Sequence, residues 1–122
     1  MRRDHLATAP SPDSRHDFLV ELRGEPVAGT RLTVRCVPDR LVLDPAGFAA
    51  YLADPAGFGT TGFGGGLEAL AMIVLDDLNN ELVPRWVEVT AERDAPFPHR
   101  VVIEDRQPNW DNPQLIGRLK RI

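Results

Sequence analysis

The 122-residue sequence contains a single cysteine and no long apolar run. One cysteine cannot form an intramolecular disulfide, which fits a reducing, cytoplasmic compartment. Because no segment approaches about 20 consecutive apolar residues, the sequence offers no transmembrane helix, and no membrane partner is predicted. The N-terminal arginines have no apolar segment behind them, so no signal peptide is expected.

An excess of positive charge is also lacking. The chain has 14 basic and 18 acidic residues, a formal net charge of -4, and its basic residues are scattered except at the C-terminal end. Nucleic acid is therefore not predicted as a partner. The three histidines, His5, His16 and His99, do not combine with Cys36 at metal-ligand spacing. The sequence accordingly predicts no metal site.

Four segments with alternating apolar and polar residues and two helical segments follow one another in the order strand, strand, helix, helix, strand, strand. The strands are predicted over residues 18–23, 30–37 (extended by 40–43), 85–93 and 100–104. One helix is predicted from Pro45 to near Asp54, and a longer one from Leu67 to just before Pro84. This order favours an α+β fold, with a four-stranded antiparallel sheet carrying both helices, placed between strands 2 and 3, on one face. Residues 1–16 are predicted to form an irregular arm, and residues 17–122 a single domain with an extended C-terminal tail.

The longest predicted helix carries an apolar stripe at three- and four-residue spacing: Leu67, Leu70, Ala71, Val74, Leu75, Leu78 and Leu82. A glycine-rich segment over residues 56–66 precedes this helix, and Glu68 lies in its first turn. The segment lacks the lysine of a phosphate-binding loop, and Glu68 would repel phosphate. A carboxylate at this position also has a purely structural explanation, since it stabilises the positive end of the helix dipole.

Two strings at fixed spacing carry a family resemblance: residues 75–78 (LDDL), five residues, then residues 84–89 (PRWVEV). They resemble the tunnelling-fold nitrile reductases of queuosine biosynthesis (QueF), in which MNDL and PRYIEV occur at that spacing. The resemblance implies a tunnelling fold (T-fold), assembled as a homo-oligomer whose ligand sites lie between subunits. It also implies that Glu68 grips the N–H groups of a heterocyclic ring, that Asp17 is a proton donor, and that Tyr51 belongs to the substrate-binding site.

The sequence departs from that family at the groups that perform reduction. Pro10 stands in place of the nucleophilic cysteine and Leu67 in place of a histidine. The lysines and serines of the cofactor motif are replaced over residues 45–49, so no NADPH or other cofactor is predicted. The resemblance therefore predicts a divergent QueF-like enzyme that acts by acid–base chemistry on a purine, deazapurine, pterin or related N-heterocycle, with Asp17 as the catalytic residue and Glu68 and Tyr51 as substrate-binding residues.

Two alternatives remain open at this point. The chain is either such an enzyme or a non-catalytic heterocycle-binding or scaffold subunit, since a fold does not fix a function. A third, less favoured reading keeps nitrile reduction and recruits Cys36 as the nucleophile. Self-association is expected in each case, because the second face of the sheet is predicted to be partly apolar and an edge strand is open.

Overall fold

The computed structural model of the protein describes residues 2–53 and 66–119 and has a mixed α+β fold. After a 3₁₀ turn at Arg2–His5, the strands are β1 (Thr8–Pro10), β2 (Val20–Val27), β3 (Thr30–Val37), β4 (Leu41–Leu43), β5 (Trp86–Arg93) and β6 (His99–Arg106), and the helices are α1 (Pro45–Ala53), α2 (Gly66–Leu82) and α3 (Pro113–Gly117). None of the helices in the described ranges is both long and apolar enough to cross a membrane.

The main sheet has four antiparallel strands in the order β2-β3-β5-β6. In the central pair, Arg35 of β3 lies opposite Glu88 of β5, and Val34 lies opposite Val89. β2 and β6 are the two edges. The antiparallel α+β prediction is confirmed, and both α1 and α2 lie in the connection between the two halves of the sheet, as the sequence predicted.

The main hydrophobic core lies between the two longer helices and one face of the sheet. Every member of the predicted apolar stripe of α2 is buried. These residues share the core with Phe48 and Leu52 of α1 and with Leu32, Val34 and Val89 of the central strands. Burying a large aliphatic side chain stabilises a fold by about 1.5–3 kcal/mol. The helix face of the sheet is therefore the main source of stability.

Asp44 starts α1 in the way that the sequence indicates. Its side-chain Oδ2 accepts a hydrogen bond from the backbone N–H of Gly47 at 3.1 Å, and its carbonyl accepts from Phe48 at 3.0 Å. Pro45 occupies the first helical position, where the missing N–H is not needed. The capping interaction fixes the point at which the chain leaves β4 and enters the helix.

A buried hydrogen bond joins α1 to α2. Tyr51 is fully buried, and its hydroxyl donates to Oδ2 of Asp77 at 2.6 Å; Asp77 is itself only 4% exposed. We expect Tyr51→Phe to lower the free energy of unfolding by about 1–3 kcal/mol, because the change removes a donor from a buried carboxylate. Urea unfolding monitored by circular dichroism measures this loss. An unchanged midpoint would show that the hydrogen bond contributes nothing to stability.

The N-terminal segment differs from the irregular arm predicted over residues 1–16. β1 pairs with β4 in a separate two-stranded sheet, and the backbone N–H of Asp44 donates to the carbonyl of Ala7. Leu6 is buried in the core. The alternation predicted that residues 40–43 extend β3, but β4 belongs to the separate sheet instead. It leaves the main sheet because the N-terminal segment supplies it with a partner strand.

β2 also runs further than predicted. The turn expected at residues 24–26 is instead part of the strand, which passes through a register shift between Gly24 and Val27. The chain reverses at Ala28-Gly29, where Gly29 adopts a φ of 83°. A positive φ is tolerated by glycine and disfavoured for most other residues, so Gly29 is the residue that fixes this hairpin.

The second face of the sheet is partly apolar, as predicted, because Trp86 and Val102 line it, but it also carries charged residues. Arg35 and Glu88 form a salt bridge there, and their side chains are only 6% and 15% exposed. The C-terminal segment, predicted to be an extended tail, contains the short helix α3. Ile116 and Leu119 of this segment line a cleft together with Arg35 and Glu88. The C-terminal segment therefore covers part of a charged sheet face.

Candidate functional site

Glu68 lies in the first turn of α2 and is exposed. Its Oε1 is 3.2 Å from Nε2 of His99, the first residue of β6, and the two side chains are 58% and 47% exposed. A carboxylate at a helix N-terminus is stabilised by the helix dipole. The pair leaves one oxygen of Glu68 outside the histidine contact, and both side chains are accessible to a ligand from solvent.

Asp17 is the centre of a different group of residues, at the opposite end of the sheet. Its Oδ1 accepts from Arg85 at 2.9 Å, while Oδ2 accepts from the indole N–H of Trp110 at 3.1 Å and from the amide of Asn112 at 2.9 Å. Arg85 also donates to the carbonyl of Ser14 at 2.6 Å. These contacts join the segment before β2 to the start of β5 and to the segment after β6.

The surroundings of Asp17 favour its ionised form. Burial by itself raises the pKa of this carboxyl, but the hydrogen bonds from Asn112, Arg85 and Trp110, together with the charge of Arg85, bring the pKa below its ordinary value. A general acid that donates its proton near neutral pH needs a raised pKa. In the protomer the pKa of Asp17 is lowered instead. Asp17 is therefore better suited to anchor the fold or to accept a proton than to donate one.

Asp17 is expected to make stability depend on pH in the acid range. Because its pKa in the folded state lies below the unfolded value of about 3.9, its stabilising effect is complete above that value and is lost as the pH falls through the folded pKa. The melting temperature of Asp17→Asn should therefore fall well below that of the wild type at pH 7, and the gap should narrow below about pH 4. Asp76→Asn, on the exposed face of α2, is the control. A gap that stays constant from pH 7 to pH 3 would contradict the assignment.

Two other candidate residues of the sequence are buried. Tyr51 has no exposed surface, so in this structure its hydroxyl holds Asp77 and does not face a ligand site. Cys36 is buried in the helix-facing core, and burial raises the pKa of its thiol to about 12. A thiol that stays protonated at neutral pH is a poor nucleophile, so the structure argues against recruiting Cys36 for nitrile attack.

Asp17 and Glu68 do not meet within one protomer. Glu68 contacts His99, which lies opposite Arg93 at the far end of β5, whereas Asp17 contacts Arg85, which immediately precedes β5. Eight residues of extended strand span about 25 Å. This separation is larger than a bicyclic heterocycle. A site that uses both carboxylates on one small ligand therefore needs a second copy of the chain.

The sequence did not indicate the partners of either carboxylate. His99 has no metal-ligand spacing to mark it, and Trp110 and Asn112 lie in the predicted tail. Arg85 could have been identified as a candidate site residue, because it lies in residues 84–89, which carry the family resemblance. Across the described ranges, no group of three or more histidine, cysteine, aspartate or glutamate side chains could hold a metal ion. The glycine-rich segment predicted over 56–66 lies outside the described residues, apart from Gly66.

Comparisons of the sequence with protein-family models and with curated proteins returned no match. Three features of the molecule bear on its function: the accessible Glu68–His99 pair, the anchored Asp17 and the topology of the sheet.

Proposed function

We propose that this chain is a divergent, QueF-like T-fold subunit that binds a planar N-heterocycle, such as a purine, deazapurine or pterin, at an interface between copies of itself. The observation that carries the proposal is the exposed carboxylate of Glu68 at the N-terminus of α2. A carboxylate accepts two parallel N–H bonds, and the edge of a guanine or pterin ring presents two such donors. Glu68 is the anchor of the ring.

The sheet topology supports the T-fold component of this proposal. Two antiparallel strand pairs flank a connection that contains α1 and α2, and the four strands lie in sequence order. Both helices pack on one face, and no further strand pairs with the outer edges of β2 and β6 among the described residues of the protomer. Edge strands with unpaired backbone groups favour association with another copy. The arrangement is compatible with a ring of subunits.

The geometry favours binding over nitrile reduction. Pro10 replaces the nucleophilic cysteine and lies exposed in β1, while Cys36 is buried. No thioimide can form at Pro10, because proline has no nucleophilic side chain. We therefore assign no nitrile reductase activity to the chain.

An acid–base enzyme acting on the same class of ligand is the second candidate. It is favoured by one observation: the side chain of Asp17 remains 20% exposed despite its three donors. A carboxylate held in the ionised form can accept a proton from a ligand. In this version of the proposal, Asp17 of one copy acts on a ring held by Glu68 of another.

The proposal requires a homo-oligomer. The separation of Asp17 from Glu68, the open sheet edges and the short chain all favour association of copies. Light scattering at micromolar concentration should therefore give a mass that is a multiple of 13.5 kDa. A monomer of 13.5 kDa would contradict the intersubunit site.

Ligand binding tests the function directly. A thermal-shift panel of guanine, 7-deazaguanines and pterins should raise the melting temperature of the wild type with at least one compound, because a ligand that binds only the folded state stabilises it. Pyrimidines and simple benzoic acids serve as ring controls. If no bicyclic heterocycle stabilises the protein, or if all aromatic compounds do so equally, the proposal fails.

A further inference from the structure

The second face of the sheet holds a cleft that the proposed function does not use. Its volume is ≈ 560 Å³, and its lining residues include Arg35, Glu88, Thr90 and Arg100 from the sheet and Ile116 and Leu119 from the C-terminal segment. We call it the open-face cleft. Glu68 lies on α2, which packs against the other face of the sheet. The two sites are therefore separate.

Thr90 provides the first sign that the cleft holds a ligand. The residue is 1% exposed and lines the cleft, and its hydroxyl Oγ1 has no hydrogen-bond partner among residues 2–53 and 66–119. The sheet register places Thr90 between Thr33 and Val102 on the second face. A buried hydroxyl without a partner destabilises a protein, and such groups are rare in folded structures. A polar ligand group in the cleft would supply the missing bond.

Two charged groups of the cleft retain binding capacity. Arg35 donates to Glu88 twice, at 2.8 and 2.6 Å, and both bonds end on Oε1. No described residue bonds to the second oxygen, Oε2, of Glu88. Arg100 is exposed and forms no ion pair or side-chain hydrogen bond within the described ranges. The cleft therefore presents a guanidinium and a carboxylate oxygen, and Thr90 lies between them in the strand register.

The balance of charges selects the class of ligand. Among the described residues, two arginines, Arg35 and Arg100, and two glutamates, Glu88 and Glu104, line the cleft, so the charges of this described lining balance. A purely anionic or purely cationic ligand would meet repulsion from one half of this set. A zwitterion satisfies both halves, because its carboxylate pairs with a guanidinium and its ammonium group pairs with a carboxylate. The side chains of Val102, Ile116 and Leu119 add an apolar wall.

We propose that the open-face cleft binds a small zwitterion of the α-amino-acid class with an apolar side chain. Its carboxylate pairs with Arg100, and its ammonium group donates to Oε2 of Glu88. The hydroxyl of Thr90 donates to the ligand carboxylate, and the apolar side chain of the ligand lies against Ile116 and Leu119.

Three matched compounds test the proposal by nitrogen–proton NMR titration of the full chain at millimolar concentration. They are L-leucine, 4-methylpentanoate, which lacks the amino group, and 3-methylbutylamine, which lacks the carboxylate. Leucine should shift the amide signals of β5 and β6 near Thr90 and Arg100, with a Kd about 10-fold or more below that of either analogue. No shift at these amides, or equal affinity for the three compounds, would overturn the proposal.

Three variants separate the cleft from general effects on the fold. Arg100→Gln should weaken leucine binding by about 10-fold or more, while Arg40→Gln, an exposed arginine outside the cleft, should leave it unchanged. Thr90→Val should weaken binding without lowering the melting temperature, because it removes a buried hydroxyl that has no partner. Equal losses in Arg100→Gln and Arg40→Gln would overturn the assignment. Glu68→Gln should leave leucine binding unchanged, so this proposal and the heterocycle site can fail independently.

Discussion

Replacing Glu68 by glutamine is expected to weaken heterocycle binding by about 30- to 150-fold and to leave the melting temperature of the free protein nearly unchanged. The carboxylate accepts two N–H donors, whereas an amide offers one oxygen and turns its own NH₂ toward the second donor. This mismatch costs roughly 2–3 kcal/mol in a desolvated site. Because Glu68 is 58% exposed in the protomer, its removal should cost the fold little. Isothermal titration with the best ligand of the panel measures the change.

The control for this experiment lies on the same helix. Asp76 is an exposed carboxylate of α2 that lies about 12 Å from Glu68 along the helix axis, and Asp76→Asn should bind the ligand as the wild type does. Equal affinity of Glu68→Gln and wild type would show that Glu68 only compensates the helix dipole. Equal losses in both variants would point to a general charge effect.

Removing Arg35 is expected to produce the largest loss of stability. Arg35 and Glu88 lie directly opposite each other on the central strands, and their side chains are 6% and 15% exposed. Arg35→Met would leave the carboxylate of Glu88 without its counter-charge, which costs roughly 3 kcal/mol or more. Urea unfolding at pH 7 measures this loss. A loss below about 1 kcal/mol would show that solvent or another group compensates Glu88.

Two further variants distinguish the broken pair from lost packing. The double variant Arg35→Met with Glu88→Leu should recover most of the loss, because replacing both members of a buried ion pair by apolar groups is often neutral. Arg31→Met breaks an exposed pair with Asp94, and it should cost no more than about 0.5 kcal/mol. If the double variant is as unstable as Arg35→Met alone, the loss comes from packing and not from charge.

The helix face of the structure was predictable because its signals are local. The apolar stripe of α2 repeats with the period of a helix. The cap at Asp44 and the bounds of β3 are determined by residues that are close in the sequence. The exception is β4. Its three residues continue the alternation of β3, but their partner is β1, about 30 residues earlier, whose own residues are all exposed. Alternation alone does not indicate such a pairing.

The second face and the candidate site could not be predicted in the same way, because they depend on contacts between residues that are distant in the sequence. Alternation placed Arg35 on the second face of the sheet, but it did not indicate that the C-terminal segment and Glu88 enclose the side chain. Asp17 receives its donors from positions 68 to 95 residues away. Tyr51 occupied a position implied by a family resemblance, yet local packing placed it inside the core. Composition and spacing do not specify any of these contacts.

The most direct measurement is the position of a bound heterocycle in a crystal structure of the wild type with the tightest ligand of the panel. Both oxygens of Glu68 should lie at hydrogen-bond distance, about 2.7–3.2 Å, from ring N–H groups, with a second copy of the chain forming the opposite wall of the site. A ring bound away from Glu68, or held by a single copy of the chain, would contradict this account.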